Sequence, residues 1–199
     1  RCAGTYLHDN APGDVQKQLL SSFDGFMAAR GDGALVVYSG RYYEPTVTFN
    51  DRNVVAYSIQ HFLPDEQATN EYVVSFTDPA ADFNSGEAGT VRDEDDITAR
   101  GVVRSANLAL DWVPSAPQAV RLGKRALSRS TQELRGTVTV NLYGMNGLGE
   151  RYLRLQIEDN AALNDLVVEV SGAPKIDLAA LTVTFTWIAA DTAIDDGDP

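Results

Sequence analysis

From Leu181 to Trp187 the side chains alternate without a fault, with Leu181, Val183, Phe185 and Trp187 set against Thr182, Thr184 and Thr186. Successive side chains of a strand point to opposite faces, so a period of two fits an extended chain and excludes a helix. The same alternation runs through Val138/Val140/Leu142 and Leu153/Leu155/Ile157, and continues in Val168/Val170. It predicts strands with one wet and one packed face, which need a shared core. A chain of 199 residues, 44% hydrophobic, can supply that core as one large domain or two small ones. The longest apolar run, Ala34 to Tyr38, is far shorter than the ~20 residues of a spanning helix, so no membrane span is expected.

Two segments change the period to that of a helix. Between Asp14 and Arg30, Val15, Leu19, Leu20, Phe23, Phe26 and Met27 share one stripe, with Asp14 or Asn10 as N-cap and Gly31 as the stop. A second helix starts at Ser115, where Ser115 and Gln118 form a capping box around Pro117. One of its sides carries Ala119, Val120, Gly123, Ala126 and Leu127; the other carries Arg121, Lys124, Arg125 and Arg129.

Between the helices, ALVVY at 34, PTVTF at 45, NVVAYSI at 53 and EYVVSFT at 71 read as short strands of a mostly antiparallel sheet covered by the first helix. Residues 78–105 carry Asp78-Pro79, Asn84-Ser85-Gly86 and the acidic run Asp93 to Asp96. They read as a turn-rich surface excursion with a short helix near Ile97. The expected fold class is α+β: small antiparallel sheets with two amphipathic helices, then a β-rich, barrel-like or half-barrel segment. The expected division is an α+β region at 1–133, itself divisible into 1–77 and 78–133, and a β-rich segment with an acidic tail at 134–199.

Charge narrows the possible functions. The net charge is −12, which opposes any stable grip on nucleic acid through phosphate neutralisation. Residues 155–199 hold nine Asp or Glu and one Lys, hence −8 of that total. One Cys (Cys2) and two His (His8, His61) cannot form a Cys/His zinc site, an internal disulfide or a c-type haem site. No metal or other cofactor is expected. The lone thiol fits assembly in a reducing cytosol. Arg1 in first position, in place of Met, reads as a piece of something longer.

Several motifs invite chemistry and are better explained by structure. Arg30-Gly31-Asp32 matches an adhesion tripeptide but sits where a helix is expected to end. Gly144, Gly147 and Gly149 superficially suggest a phosphate loop, yet they lie between two alternating strands, which predicts a hairpin loop. Asp78 and Asp82, or members of Asp93 to Asp96, offer carboxylates for sugar cleavage, but no spacing selects a pair. Asp191, Asp195, Asp196 and Asp198 lack the pattern of a calcium loop and read as a solvated tail. No Gly-x-Ser-x-Gly elbow accompanies the two His, and His61 reads as a surface or structural residue at a strand end. No residue is assigned a catalytic role. The basic face Arg121, Lys124, Arg125 and Arg129 reads as a subunit-docking surface for a carboxylate-rich neighbour.

Asn70 to Phe83, followed by Val91 to Leu127, resembles the tail-tip hub proteins of long-tailed bacteriophages, the tip attachment or host specificity family, and their gene-transfer-agent relatives. The residues carrying the likeness are the strand Asn70 to Pro79, the acidic step Asp95 to Ile97, Arg100-Gly101, Leu108/Leu110 and the helix Gln118 to Leu122. The first helix and Gly40 to Phe49 are compatible with it. Where hubs usually continue into a Pro-Gly-Asp turn, this chain has Leu163 to Val170 instead.

The resemblance implies a non-enzymatic ring of sister copies: a trimer that closes the distal tail tube around a channel through which DNA passes. The partners it implies are other copies of the chain and other tail-tube and tail-tip proteins. The place it implies is the virion tail tip, assembled in the host cytoplasm. The competing reading is a carbohydrate- or receptor-binding β-rich module of a virion or adhesin, with Trp112, Trp187, Tyr42 and Tyr43 as sugar-stacking candidates. A third is a glycosidase or peptidase domain.

Overall fold

The structure is a computed structural model that describes residues 2–63 and 68–194. In chain order its elements are α1 (Pro12–Ser21), β1 (Phe26–Ala29), β2 (Leu35–Tyr38), β3 (Thr48–Asn50), β4 (Val54–Gln60) and β5 (Glu71–Asp78). Then come β6 (Asn84–Arg92), α2 (Glu94–Arg100), β7 (Ser105–Leu110), α3 (Ala116–Thr131) and β8 (Arg135–Asn141). The chain finishes with β9 (Tyr152–Gln156), β10 (Asn164–Val170), β11 (Lys175–Asp177) and β12 (Thr182–Ala189). The fold is α+β. Among the described residues the β-rich part is an open sheet and closes into no barrel.

The chain divides into two compact units, each drawn from two separate stretches: Arg1–Phe26 with Pro64–Thr131, and Met27–Leu63 with Gln132–Pro199. Residues 27–63 therefore fall in with the C-terminal stretch. The single sheet expected over residues 34–77 does not exist. β1 and β2 form a ladder of their own, β3 and β4 join β9 and β8, and β5 pairs with β6 and β7. Each short strand takes the partner that completes its apolar face, and that partner is distant in sequence for β3 and β4.

In the first unit β5 is central, antiparallel to β6 from Glu71↔Arg92 to Asp78↔Asn84 and parallel to β7 from Glu71↔Ser105 to Phe76↔Leu110. Helix α3 lies on this sheet, burying Ala119, Leu122, Gly123 and Leu127. Gly123 permits the approach: a Cβ there would stand 2.7 Å from Cγ2 of Val74. Residues 84–92, expected to be turns, form the full-length strand β6. Their small, polar composition hid them, and pairing along β5 overrides local propensity. Helix α1 ends at Ser21, short of Arg30. The Ser21 and Ser22 hydroxyls donate to the Gln18 and Leu19 carbonyls at 2.8 and 2.7 Å, Asp24 turns left-handed at φ 53°, and Phe26–Ala29 become a strand.

In the second unit the strand order is β3-β9-β10-β12-β8-β4, with β11 on β12. Its core gathers Phe49, Val138, Val140, Leu153, Leu155, Val168, Val170, Val183, Phe185 and Trp187, the inward half of the alternation. Leu142 and Leu181 extend the pattern in sequence but lie beyond the paired strands and are exposed. The opposite face bears hydroxyls in register, Thr139 with Thr184 at 2.9 Å and Ser58 with Thr137 at 2.8 Å.

Two expected connections turn out differently here. Gly144 and Gly147 lie in a 3-10 turn (Leu142–Gly147) that carries the chain from β8 to β9. Those strands do not pair, so this is a crossover and no hairpin. It covers the core, and a Cβ at Gly147 would meet Phe49 at 2.9 Å. Arg30-Gly31-Asp32 forms the turn between β1 and β2 in place of a helix cap. The Asp32 carboxylate accepts from Ala34 N–H at 3.0 Å, and Gly33, at φ 84°, takes the left-handed position.

Candidate interaction surfaces

The basic face of α3 is partly occupied within its own unit. Arg129 donates twice to the Asp24 carboxylate, at 2.8 and 2.7 Å, and Arg125 stands 3.8 Å from the same group. The fork geometry of guanidinium and carboxylate suits this pairing. Gln118 adds a bond from Nε2 to the Ser22 carbonyl at 2.7 Å. Two of the four cations thus fasten the turn after α1 onto α3. Arg121 and Lys124 point outward and are exposed. Lys124 shares a surface hollow with Asp93, Glu94 and Asp95 at the start of α2.

The residues that carry the family resemblance meet in one polar lock. Asn70 is fully buried; its Nδ2 donates to Asp96 and to the Val102 carbonyl, both at 3.0 Å, and its Oδ1 accepts from Arg104 N–H at 2.7 Å. Asp93 caps α2 by accepting from Asp96 N–H at 3.0 Å, and Arg100 bonds Asp96 at 2.8 Å. Gly101, at φ 69°, ends the helix. Beside this lock, Arg92, Glu71 and Ser105 form one row across β6, β5 and β7. The Ser105 hydroxyl and then the Arg92 guanidinium hold the Glu71 carboxyl below its ordinary pKa. The bonds of this signature join the start of β5, α2 and the start of β7 to one another.

Two features of the second unit had no sequence signal. Strand β4 lies at a sheet edge. Among the described residues only β8 pairs with it, while Val55 and Tyr57 are 62% and 41% exposed. A seven-residue edge without charge or Pro is open to pairing with another strand. Arg151, 3% exposed, donates from Nε and NH2 to Glu169 at 3.0 and 2.9 Å. Its N–H donates to the Tyr43 hydroxyl at 3.0 Å. Burial raises the Tyr43 phenol above its usual pKa, so it stays neutral. Tyr43 lies 108 residues from Arg151 in sequence, beyond the reach of any local pattern.

The four sugar-stacking candidates separate. Trp187 is wholly buried in the core. Tyr42 and Tyr43 pack edge-on against Tyr152, at 5.2 and 5.1 Å between ring centroids. Trp112 lines a cavity of about 560 Å³ in the first unit, together with Asn10, Gln18, Thr77, Phe83 and Asp111. Phe83 was not among the stacking candidates; it is 64% exposed and, like Asp82 before it, sits at positive φ, 61° after 54°.

Of the candidate catalytic groups, Asp78 and Asp93 start a turn and a helix. Asp78 accepts from Ala80 N–H at 2.9 Å and so starts the turn expected of it. His61 is exposed just past the end of β4. Among the described residues no three of His, Cys, Asp and Glu gather as a metal-binding group; Asp195, Asp196 and Asp198 lie outside those residues. Among the described residues no helix is long and apolar enough to cross a membrane.

A three-stranded sheet carrying one helix and an open seven-stranded sheet share the chain. Residues 14–142 match the family described as "Putative phage tail protein", and the chain belongs to that family. No curated protein matches the sequence. Among solved structures it is similar to a chain of the virion of a native gene transfer agent particle, at TM-score 0.68 and 10% identity over 96% of this chain and 41% of that one. It is also similar to the tail protein from Neisseria meningitidis MC58, at TM-score 0.58 and 15% identity over 96% and 57%. A third likeness is to the 43 kDa tail protein of prophage MuSo2 from Shewanella oneidensis, at TM-score 0.51 and 17% identity over 96% and 56%. The chain spans about half the length of these neighbours, between 41% and 57%.

Proposed function

We propose that the chain is a structural subunit of a phage-type tail tip, part of the hub that closes the distal tail tube, and that it performs no catalysis. The observation that carries this reading is the likeness, over 96% of the chain, to a chain of a gene transfer agent virion, within a tail-protein family. The β4 edge, paired only with β8 among the described residues, supports assembly from sister copies, a trimer in this reading, alongside other tail-tube and tail-tip proteins. Arg121 and Lys124 are the part of the α3 face best placed to dock on a carboxylate-rich neighbour. The net charge of −12 suits a conduit that lets DNA pass without holding it.

Gold-labelled antibody against this chain, imaged on intact particles by electron microscopy, tests the reading. Label at the distal tail tip is the expected result. Label along side fibres or on the head overturns it. Light scattering of the purified protein tests the trimer separately, and a concentration-independent monomer speaks against it.

A further inference from the structure

We propose that the cavity walled by Phe83 and Trp112 binds a neutral saccharide. Its volume of about 560 Å³ falls in the range of small-molecule sites. Phe83 supplies the first reason. Two successive residues, Asp82 and Phe83, hold the left-handed backbone that glycine or asparagine adopts at far lower cost than a bulky side chain. The ring is not there for the core either, because it stands 64% exposed. Strain of this kind persists where surrounding structure imposes it, and it clusters at ligand sites.

The lining supplies the second reason. Asn10 and Gln18 bring carboxamides that both donate and accept, Asp111 a carboxylate, and Thr77 a hydroxyl that donates to the Asp111 carbonyl and keeps its acceptor side for a ligand. A pyranose has hydroxyls that donate and accept around its rim and a C–H face that stacks on an aromatic ring, and these walls carry both kinds of partner. No described residue of the lining is a cation, so nothing there neutralises a phosphate or sugar acid, and Asp111 repels one. The wall is also held in place before any ligand arrives. Ala3 N–H donates to the Trp112 carbonyl at 3.1 Å, Thr77 N–H donates to the Val113 carbonyl at 3.1 Å, and Tyr6 stacks on Trp112 with centroids 6.5 Å apart. Such preorganisation lowers the entropic cost of binding.

The test is titration of the purified chain with maltotriose, cellotriose, chitotriose and mannotriose, and with glucose 6-phosphate, by saturation-transfer NMR and tryptophan fluorescence. Trp187 is buried in the other unit and gives a constant background, so the fluorescence change reads Trp112. Saturable binding of at least one trisaccharide is expected, with glucose 6-phosphate weaker. Phe83→Gly should weaken that binding about tenfold or more. The same variant should raise Tm by about 2–4 °C, since it relieves the left-handed strain. Asp111→Asn should narrow the gap between the phosphate and the neutral sugars. No saturable binding of any of the four trisaccharides overturns the proposal. So does a Phe83→Gly protein of unchanged affinity, or one with lowered Tm, which would make the ring a structural support.

Discussion

The two units solve the burial of a sheet in opposite ways. Of the twelve largest fully buried side chains, ten belong to the seven-stranded unit, including Trp187, Phe49, Phe185, Leu153 and Leu155, and only Val74 and Val113 belong to the three-stranded one. The first unit instead buries Asn70, Glu71 and Ser22, with a helix pressed close to its sheet at Gly123. One unit rests on bulk, which tolerates no loss of volume. The other rests on close approach and on polar groups that must each keep a partner.

This contrast can be broken at either end. Phe185→Ala should have the largest effect, destabilising the seven-stranded unit by about 3–5 kcal/mol in urea unfolding. Hydrogen exchange in β5, β6 and β7 should stay as it was; a loss of protection there would show that the units do not unfold separately. Asn70→Ala should cost the three-stranded unit about 2–4 kcal/mol, because the Val102 carbonyl and the Arg104 N–H lose the Asn70 side chain and Asp96 keeps only its bond from Arg100. If a change of volume alone explained that loss, Asn70→Leu would restore it, and the expected result is that it does not.

Gly123→Ala, followed by chemical denaturation, should cost about 1–3 kcal/mol although alanine favours helix. A neutral or stabilising result would mean that α3 can shift away from Val74 without penalty.

The smallest effect concerns acid. Glu71 has its folded pKa lowered, first by Ser105 and then by Arg92, so its contribution is complete above the unfolded value near 4.5 and fades as pH falls through the folded one. Thermal melts between pH 5 and pH 2 should therefore show the wild type losing more stability than Glu71→Gln. Equal slopes would assign the acid sensitivity to other carboxylates.

The same difference governed what the sequence revealed. Strands β8, β10 and β12 were legible because a sheet with one dry face writes its fold as alternation, and the pattern misled only at Leu142 and Leu181, where pairing stops and the next residues turn away. Helix α3 was legible from its two faces, whereas the Gln118 side chain, expected in a capping box with Ser115, bonds the Ser22 carbonyl. Strand β6 was not, since Asn84, Ser85, Gly86 and Gly89 spell turns until β5 imposes a ladder. The crossover from β8 to β9 was misread because a tight turn between two alternating strands has the same local signature whether or not they pair. At the cavity, Trp112 was among the residues marked by type, while Phe83 was missed, since only backbone angles single it out. The engagement of Arg125 and Arg129 by Asp24 was hidden for a similar reason, with about a hundred residues between the partners.

The interleaving of the two units sets a timetable for synthesis. Strand β4 leaves the ribosome about 75 residues before β8, its only described partner, begins. At about 5–20 residues per second, Val54–Gln60 waits roughly 4–15 s as an uncharged, β-prone segment with nothing to pair with. The nascent chain is exposed during that interval to sticking to its neighbours on the same polysome, and a holdase that shields this short window should raise the yield of native protein.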